Sequence, residues 1–259
     1  ATQRPWPAGS RLYPVRSAQL SEAPLLARVT DTAMTFEAAF RMAEPSDVAP
    51  AAPALLYRDR PVLVDRPDES EEVTHEFTRL LAQLDNGSAL PLVTDVAGRA
   101  MPVVLHRWVG GGRIDRMQYR RLLHWFRGRQ RAAWVPTHAD DLTIVAVTST
   151  SMTTLDVAYL GYTRFGRARA GRRDLRIELR DGTALHRRVT GSTEISTTVE
   201  RLDLDAPPHV ELSPQNVVRI SFMALCRLEG DSVEIHHITE SEGVARSEIL
   251  FRGVRDDDF

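Results

Sequence analysis

The sequence predicts a mainly β protein, α+β in detail, with β-sandwich or barrel domains and one packed amphipathic helix. Three observations predict this. Many short runs alternate apolar and polar residues, the period of two that a half-buried strand needs. Turn-forming pairs, Asn86-Gly87 and Asp181-Gly182, separate such runs as they do in hairpins. Residues 115–127 carry the clearest apolar stripe of an amphipathic helix.

Three segments follow in order: 1–58, 59–141 and 142–259, the last two packing as one domain. The first opens on Pro5-Trp6-Pro7-Ala8-Gly9, a turn-rich start. Apolar stretches come next at 11–15, 25–29 and 34–42, and in the last Met34, Phe36 and Ala38 alternate with Thr35 and Glu37. Residues 44–53, rich in Pro and Ala, read as a linker or long loop.

In the second segment, residues 72–84 suit a strand or a helix, ended by Asn86-Gly87. Residues 101–109 read as a strand that Gly110-Gly111-Gly112 stops. The helix of 115–127 is expected to start on Asp115 as cap, with Gln118 reaching back to it. Met117, Leu122, Trp125 and Phe126 form its apolar stripe, and Gly128 is expected to end it. Trp108, Trp125 and Trp134 are expected in the core, with interface anchoring as the alternative.

The third segment reads as strands throughout. Residues 142–147 are apolar and β-branched, and Leu175, Ile177 and Leu179 alternate before Asp181-Gly182 and a return at 185–189. Alternation recurs at Ile195, Thr197 and Val199, at Val218, Ile220 and Phe222, at Val233 and Ile235, and at Ile249 and Phe251. Asp256-Asp257-Asp258 suits a solvated tail.

Composition narrows the function classes. The formal net charge is −2, so no global field draws nucleic acid or an anionic membrane. No apolar run approaches the roughly 18 residues of a membrane helix, so no membrane is expected. No charged-then-apolar leader opens the chain, so no export is expected. All 33 basic residues are Arg. Arginine's planar, weakly hydrated fork tolerates burial in interfaces better than lysine does, which suits assembly. The single cysteine, Cys226, lies in the apolar run 220–226 and reads as a small buried hydrophobe.

No catalytic or metal residue is assigned, and no cofactor is expected. On a strand, His236 and His237 face opposite sides, and so do His75 and Glu76. His106, His124, His138 and His209 lack metal-ligand spacing. Ser192 follows Gly191, but Glu194 stands where a nucleophile elbow needs glycine. His138-Ala139-Asp140-Asp141 reads as a polar turn, and Gly110-Gly111-Gly112-Arg113 lacks the Lys-Ser/Thr of a phosphate loop. Pairs among 35 acidic residues are unavoidable, so they do not argue for glycoside hydrolysis.

Three stretches carry a family resemblance: residues 6–14, residues 122–130 with Trp134-Val135-Pro136, and residues 231–235 through 247–252. Together they resemble structural proteins of siphophage tail modules. The middle stretch is similar to the ring-forming distal tail proteins of phages and gene transfer agents, with a strand, a helix, an Arg127-Gly128-Arg129 stop and an aromatic-bearing strand. The resemblance implies a homo-oligomeric ring in the virion tail tip or baseplate, assembled in the bacterial host cytoplasm. Its implied partners are tail tube, hub and other tail-tip proteins, with lumenal contact to phage DNA. A carbohydrate- or receptor-binding module is the alternative.

On that reading the working surfaces are the helix region, with Arg116, Arg120, Trp125, Arg127 and Arg129, and an arginine run, with Arg164, Arg167, Arg169, Arg172 and Arg173. The run sits near Tyr162 and Phe165. Subunit contact, phosphate contact and a solvated loop are its three open readings.

Overall fold

The structure, a computed structural model, describes residues 15–43, 48–70, 74–87, 90–167, 169, 171–238 and 243–254. The predicted start at 5–14, residues 44–47 of the Pro/Ala stretch and the acidic tail lie outside these. Contacts divide the chain into two units, Ala1–Val48 and Ala49–Phe259. The first holds β1 (Ala18–Leu20), β2 (Leu25–Arg28), β3 (Met34–Glu37) and β4 (Phe40–Met42).

The second unit begins with β5 (Leu56–Tyr57), β6 (Arg60–Pro61), β7 (His75–Thr78), β8 (Leu81–Leu84), β9 (Leu92–Asp95) and β10 (Met101–Gly111). Then come α1 (Gly112–Phe126), β11 (Ala132–Pro136), β12 (Thr154–Ala158), β13 (Asp174–Leu179), β14 (Ala184–Glu194) and β15 (Val199–Leu204). It ends with β16 (Val217–Leu228), β17 (His236–His237) and β18 (Val244–Gly253). The chain is mainly β, 45% strand against 10% helix. Among the described residues no helix is long and apolar enough to cross a membrane.

One antiparallel sheet organises the second unit, in the order β12-β15-β14-β13-β16-β18-β10-β7, with β11 added on β16 and β17 on β18. Its pivot is β16. Residues 217–223 pair with β13 and residues 226–228 with β18, while the opposite edge takes β11 over residues 223–227.

Each half of the sheet closes on itself. In the first half, the N–H groups of Asp141 and Leu142 donate to Ile220 O on β16 (2.9 and 3.2 Å). Val145 N–H donates to Asp156 O (3.0 Å), and Ala158 N–H to Thr143 O (2.8 Å). Residues 141–145 thus bridge β16 to β12 around a core that includes Leu142, Leu155, Leu175, Ile177, Leu202 and Ile220. In the second half, Leu63 N–H donates to Trp134 O and Asp68 N–H to Arg107 O, both at 2.8 Å. Residues 62–68 thus bridge β11 to β10 around Val104, Val135, Cys226 and Phe251, with Leu122 and Phe126 of α1 filling the space.

This arrangement explains why residues 222–226 are apolar without interruption. Ile220 and Phe222 face the first core, while Ala224 and Cys226 face the second. Met223 and Leu225 face a third cluster with Tyr57, Val62 and Trp134. A strand covered on both faces has no polar side to alternate with. Trp134 is fully buried, donates Nε1–H to Tyr57 O (2.9 Å) and meets the Tyr57 ring edge-on at 5.5 Å. Trp108 stacks flat on Tyr119, centroids 4.1 Å apart, and its ring crosses the α-carbon of Gly110, where a Cβ would sit 2.0 Å from Trp108 Cζ2.

Several expected details are corrected. Helix α1 begins three residues before Asp115, because Gly112 (φ +81) turns the chain straight out of β10. Its N-cap is Gly111 with no side-chain cap, so Asp115 lies inside the first turn and acts on the helix dipole instead. At the far end Gly128 takes the expected left-handed conformation (φ 61), and Arg127 just before it is left-handed as well (φ 52). Met117 is 47% exposed, and Tyr119 takes its place in the buried stripe. Residues 142–147 form single bridges and no strand, because they bond to β16 and then to β12 and run along neither. Residues 195–198 are a turn: Ser196 Oγ accepts the N–H groups of Thr198 and Val199 (3.1 Å each), overriding the alternation. Val233 and Ile235 are not in a strand, and the local pairing is limited to β17.

Candidate assembly surfaces

Two ribbons expose apolar side chains and have no core of their own. In the second unit, β7 and β8 run out and β9 and β10 return, giving a hairpin that continues past the sheet. Val96 N–H donates to Leu80 O (2.9 Å) and joins its two paired stretches. Leu84 and Leu92 are register partners and share a face with Ala82 and Thr94. Leu84 is 70% exposed and Leu92 64%, and Phe77, Leu80, Leu81, Val93 and Val96 are exposed as well. Arg79 Nη1 meets Asp95 Oδ2 at 2.5 Å on the other face.

The first unit is a ribbon of the same kind. β1 pairs with β4 and β2 with β3, linked by Ser21 N–H donating to Ala39 O (2.9 Å). Leu20 and Phe40 share one face with Ala18 and Met42, and Leu26 and Phe36 are partners in the outer half. Its described residues bury no side chain fully. A two-stranded hairpin in water is marginal by itself, and apolar surface of this extent marks a place where another surface belongs. Sequence reasoning saw a strand at 34–42 and left 72–84 open between strand and helix, and it missed that neither stretch has a core of its own. The signal was present: apolar residues occur at both parities in 80–84 and 90–96, with too few partners nearby in sequence to cover them.

The predicted arginine surfaces are placed as follows. Arg116 and Arg120 lie on α1, their Nη1 and Nη2 each 3.4 Å from one ring nitrogen of His237. Burial and then these two guanidinium groups hold the His237 pKa below its ordinary value. Arg129 grips Asp231 with its backbone N–H (2.9 Å), Nε (3.2 Å) and Nη2 (2.8 Å), which holds the Asp231 carboxyl low. Trp125 is half-buried, edge-on to Phe126 at 5.0 Å, with Arg131 over its face at 5.5 Å. Arg127 is exposed at the helix end.

The second set sits on the other closed half. Residues Tyr162–Gly166 form a single π-helical turn. The carboxylate of Glu200, fully buried on β15, accepts N–H bonds from Leu160 and Tyr162 (3.0 Å each) and Thr163 (2.8 Å). Burial alone would raise the Glu200 pKa, and these donors outweigh it and hold the carboxyl below its usual range. Arg164 bonds to Glu194 at 2.6 Å, Arg172 lies over the Phe222 ring at 5.9 Å, and Arg167 and Arg169 are exposed. Arg173 is half-buried.

Buried polar groups elsewhere serve the fold. Asp174 takes a two-pronged pair from Arg188 (2.8 Å each) and a 2.8 Å bond from Tyr57 Oη, whose pKa burial and then Asp174 push up. Among the described residues no group of three His, Cys, Asp or Glu is placed to hold a metal ion. A groove of about 390 Å³ lies between α1 and residues 51–54, edged by Trp108, Asp115, Gln118 and Arg121. No protein-family model matches this chain, and no curated protein matches it in sequence.

Proposed function

We propose that this chain is a structural subunit of a bacteriophage tail tip or baseplate, built into a ring by docking its hairpin ribbons on neighbouring subunits. The observation that carries the reading is the pair of coreless ribbons, apolar and exposed, attached to or preceding a well-packed body. The resemblance of residues 122–136 to distal tail proteins supplies the context. Ribbons of this kind gain their order from the surface they meet.

The test is sedimentation velocity and negative-stain electron microscopy on the full chain, alone and mixed with tail components. Leu84→Ser with Leu92→Ser should abolish assembly and leave the melting temperature within a degree or two, since both residues are exposed. A chain that stays monomeric under all these conditions sinks the proposal. The groove beside Trp108 favours a second reading, a carbohydrate-binding module, because an indole next to carboxylate and amide groups suits a sugar. A glycan array without signal removes it.

A further inference from the structure

We infer that Phe165, Arg167, Arg169 and Arg172 form a binding site for single-stranded nucleic acid, with phosphates on the three arginines and an unpaired base on Phe165. The site uses residues that the ribbon-docking reading does not need, so either can fail alone.

The first turn of the loop is built before any ligand arrives. Glu200 fixes its first turn through three backbone bonds, and Gly161 (φ +72) supplies the left-handed residue that starts it. Tyr162 Oη donates to Arg172 O (2.8 Å) and ties the two ends together, while its ring stacks on Phe222 at 5.9 Å and 14°. A turn already fixed in this way loses little further entropy on binding.

What the loop presents is specific. Phe165 is 71% exposed although its backbone is held by a 2.9 Å bond from its N–H to Gly161 O. Residues 157–173 contain five arginines and no acidic residue. Glu194 occupies Arg164. Arg167, Arg169 and Arg172 are exposed, and no carboxylate pairs with them among the described residues. Arginine forks match phosphate oxygens two at a time. An acidic peptide would use the forks and leave the ring idle, whereas a nucleic acid strand uses both, because each nucleotide offers a phosphate and a flat face. The net charge of −2 confines the attraction to this loop.

The experiment is fluorescence anisotropy of the full chain with a labelled 20-nucleotide thymidine strand, a duplex of equal length, and heparin as competitor. Three phosphate contacts imply that affinity for the strand falls about twentyfold between 50 and 200 mM salt. The triple change Arg167→Ala, Arg169→Ala, Arg172→Ala should abolish binding with an unchanged melting temperature. Phe165→Ala should weaken the strand roughly five- to a hundredfold and leave the duplex unaffected, and Phe165→Trp should restore it. No binding at 50 mM salt overturns the inference. So does equal binding of strand, duplex and heparin with no effect of Phe165→Ala, which describes a bare polyanion patch. A triple variant that loses self-association and keeps its DNA affinity makes the loop a protein contact and overturns it as well.

Discussion

Replacing Glu200 tests how the arginine loop keeps its shape. The carboxylate is fully buried and receives three N–H bonds of 2.8–3.0 Å. A hydrogen bond to a charged group contributes about 1.5–3 kcal/mol net, and a buried N–H left alone costs about 1–3 kcal/mol. Glu200→Ala orphans three donors at once. Water entering the vacated space recovers part of the loss, so the expected cost is about 3–5 kcal/mol, below the simple sum. Glu200→Gln keeps the volume but turns an NH₂ toward at least one of those donors, at about 1–3 kcal/mol. Urea unfolding measures the totals, and amide exchange at Leu160, Tyr162 and Thr163 localises them. The folded pKa lies below the ordinary 4.5. The native carboxylate therefore stabilises the fold above that pH, and its contribution is lost as pH falls through the folded value. Glu200→Gln should remove this part of the acid sensitivity. A Glu200→Ala chain within 1 kcal/mol of the parent, with the three amides still protected, would refute the reasoning and assign the loop's shape to Tyr162 packing alone.

Two further outcomes are expected. His138 is buried at a left-handed φ of 56, and neither ring nitrogen has a hydrogen-bond partner among the described residues. Burial, His106 and Arg176 in that order, with Arg66 adding and Glu178 opposing, lower its pKa to about 3. Between pH 6.5 and that value the unfolded chain takes a proton that the folded one refuses, so stability declines with acid, by at most about 1.4 kcal/mol per pH unit. His138→Asn tolerates the positive φ and cannot titrate, so urea midpoints from pH 4 to 8 should fall less steeply. An unchanged slope would show that His138 is not the group responsible. Cys226 is fully buried, and burial pushes its thiol pKa up. A thiol reagent should therefore label it only at the rate of global unfolding, and rapid labelling of the native chain would contradict the closed second core.

The strands legible in the sequence were those with one apolar and one polar face. Leu175, Ile177 and Leu179 alternate because β13 lines a core, and Asp181-Gly182 makes the following turn with Gly182 at φ +88. Residues 142–147 misled for a physical reason. They are apolar because Leu142 and Ile144 face a core, yet their backbone divides its bonds between two strands, and composition does not encode that division. The helix was found by its stripe, but its start was displaced, because a glycine at positive φ replaced the side-chain cap that the pattern expected. The arginine loop was visible as charge. The anchoring of its first turn was not, because Glu200 lies almost forty positions downstream and carries no local sign of its task.

One strand, Val217–Leu228, serves as a stave of both closed halves. A nascent chain leaving the ribosome delivers β10, α1 and β11 early, yet their enclosure must wait for β18, near the end of synthesis. The other enclosure needs nothing beyond residue 223 from β16, so the later-made half can shut first. The order of folding is thereby reversed relative to the order of translation, and the earlier half spends that interval with its apolar lining uncovered, the period in which a chaperone is of most use.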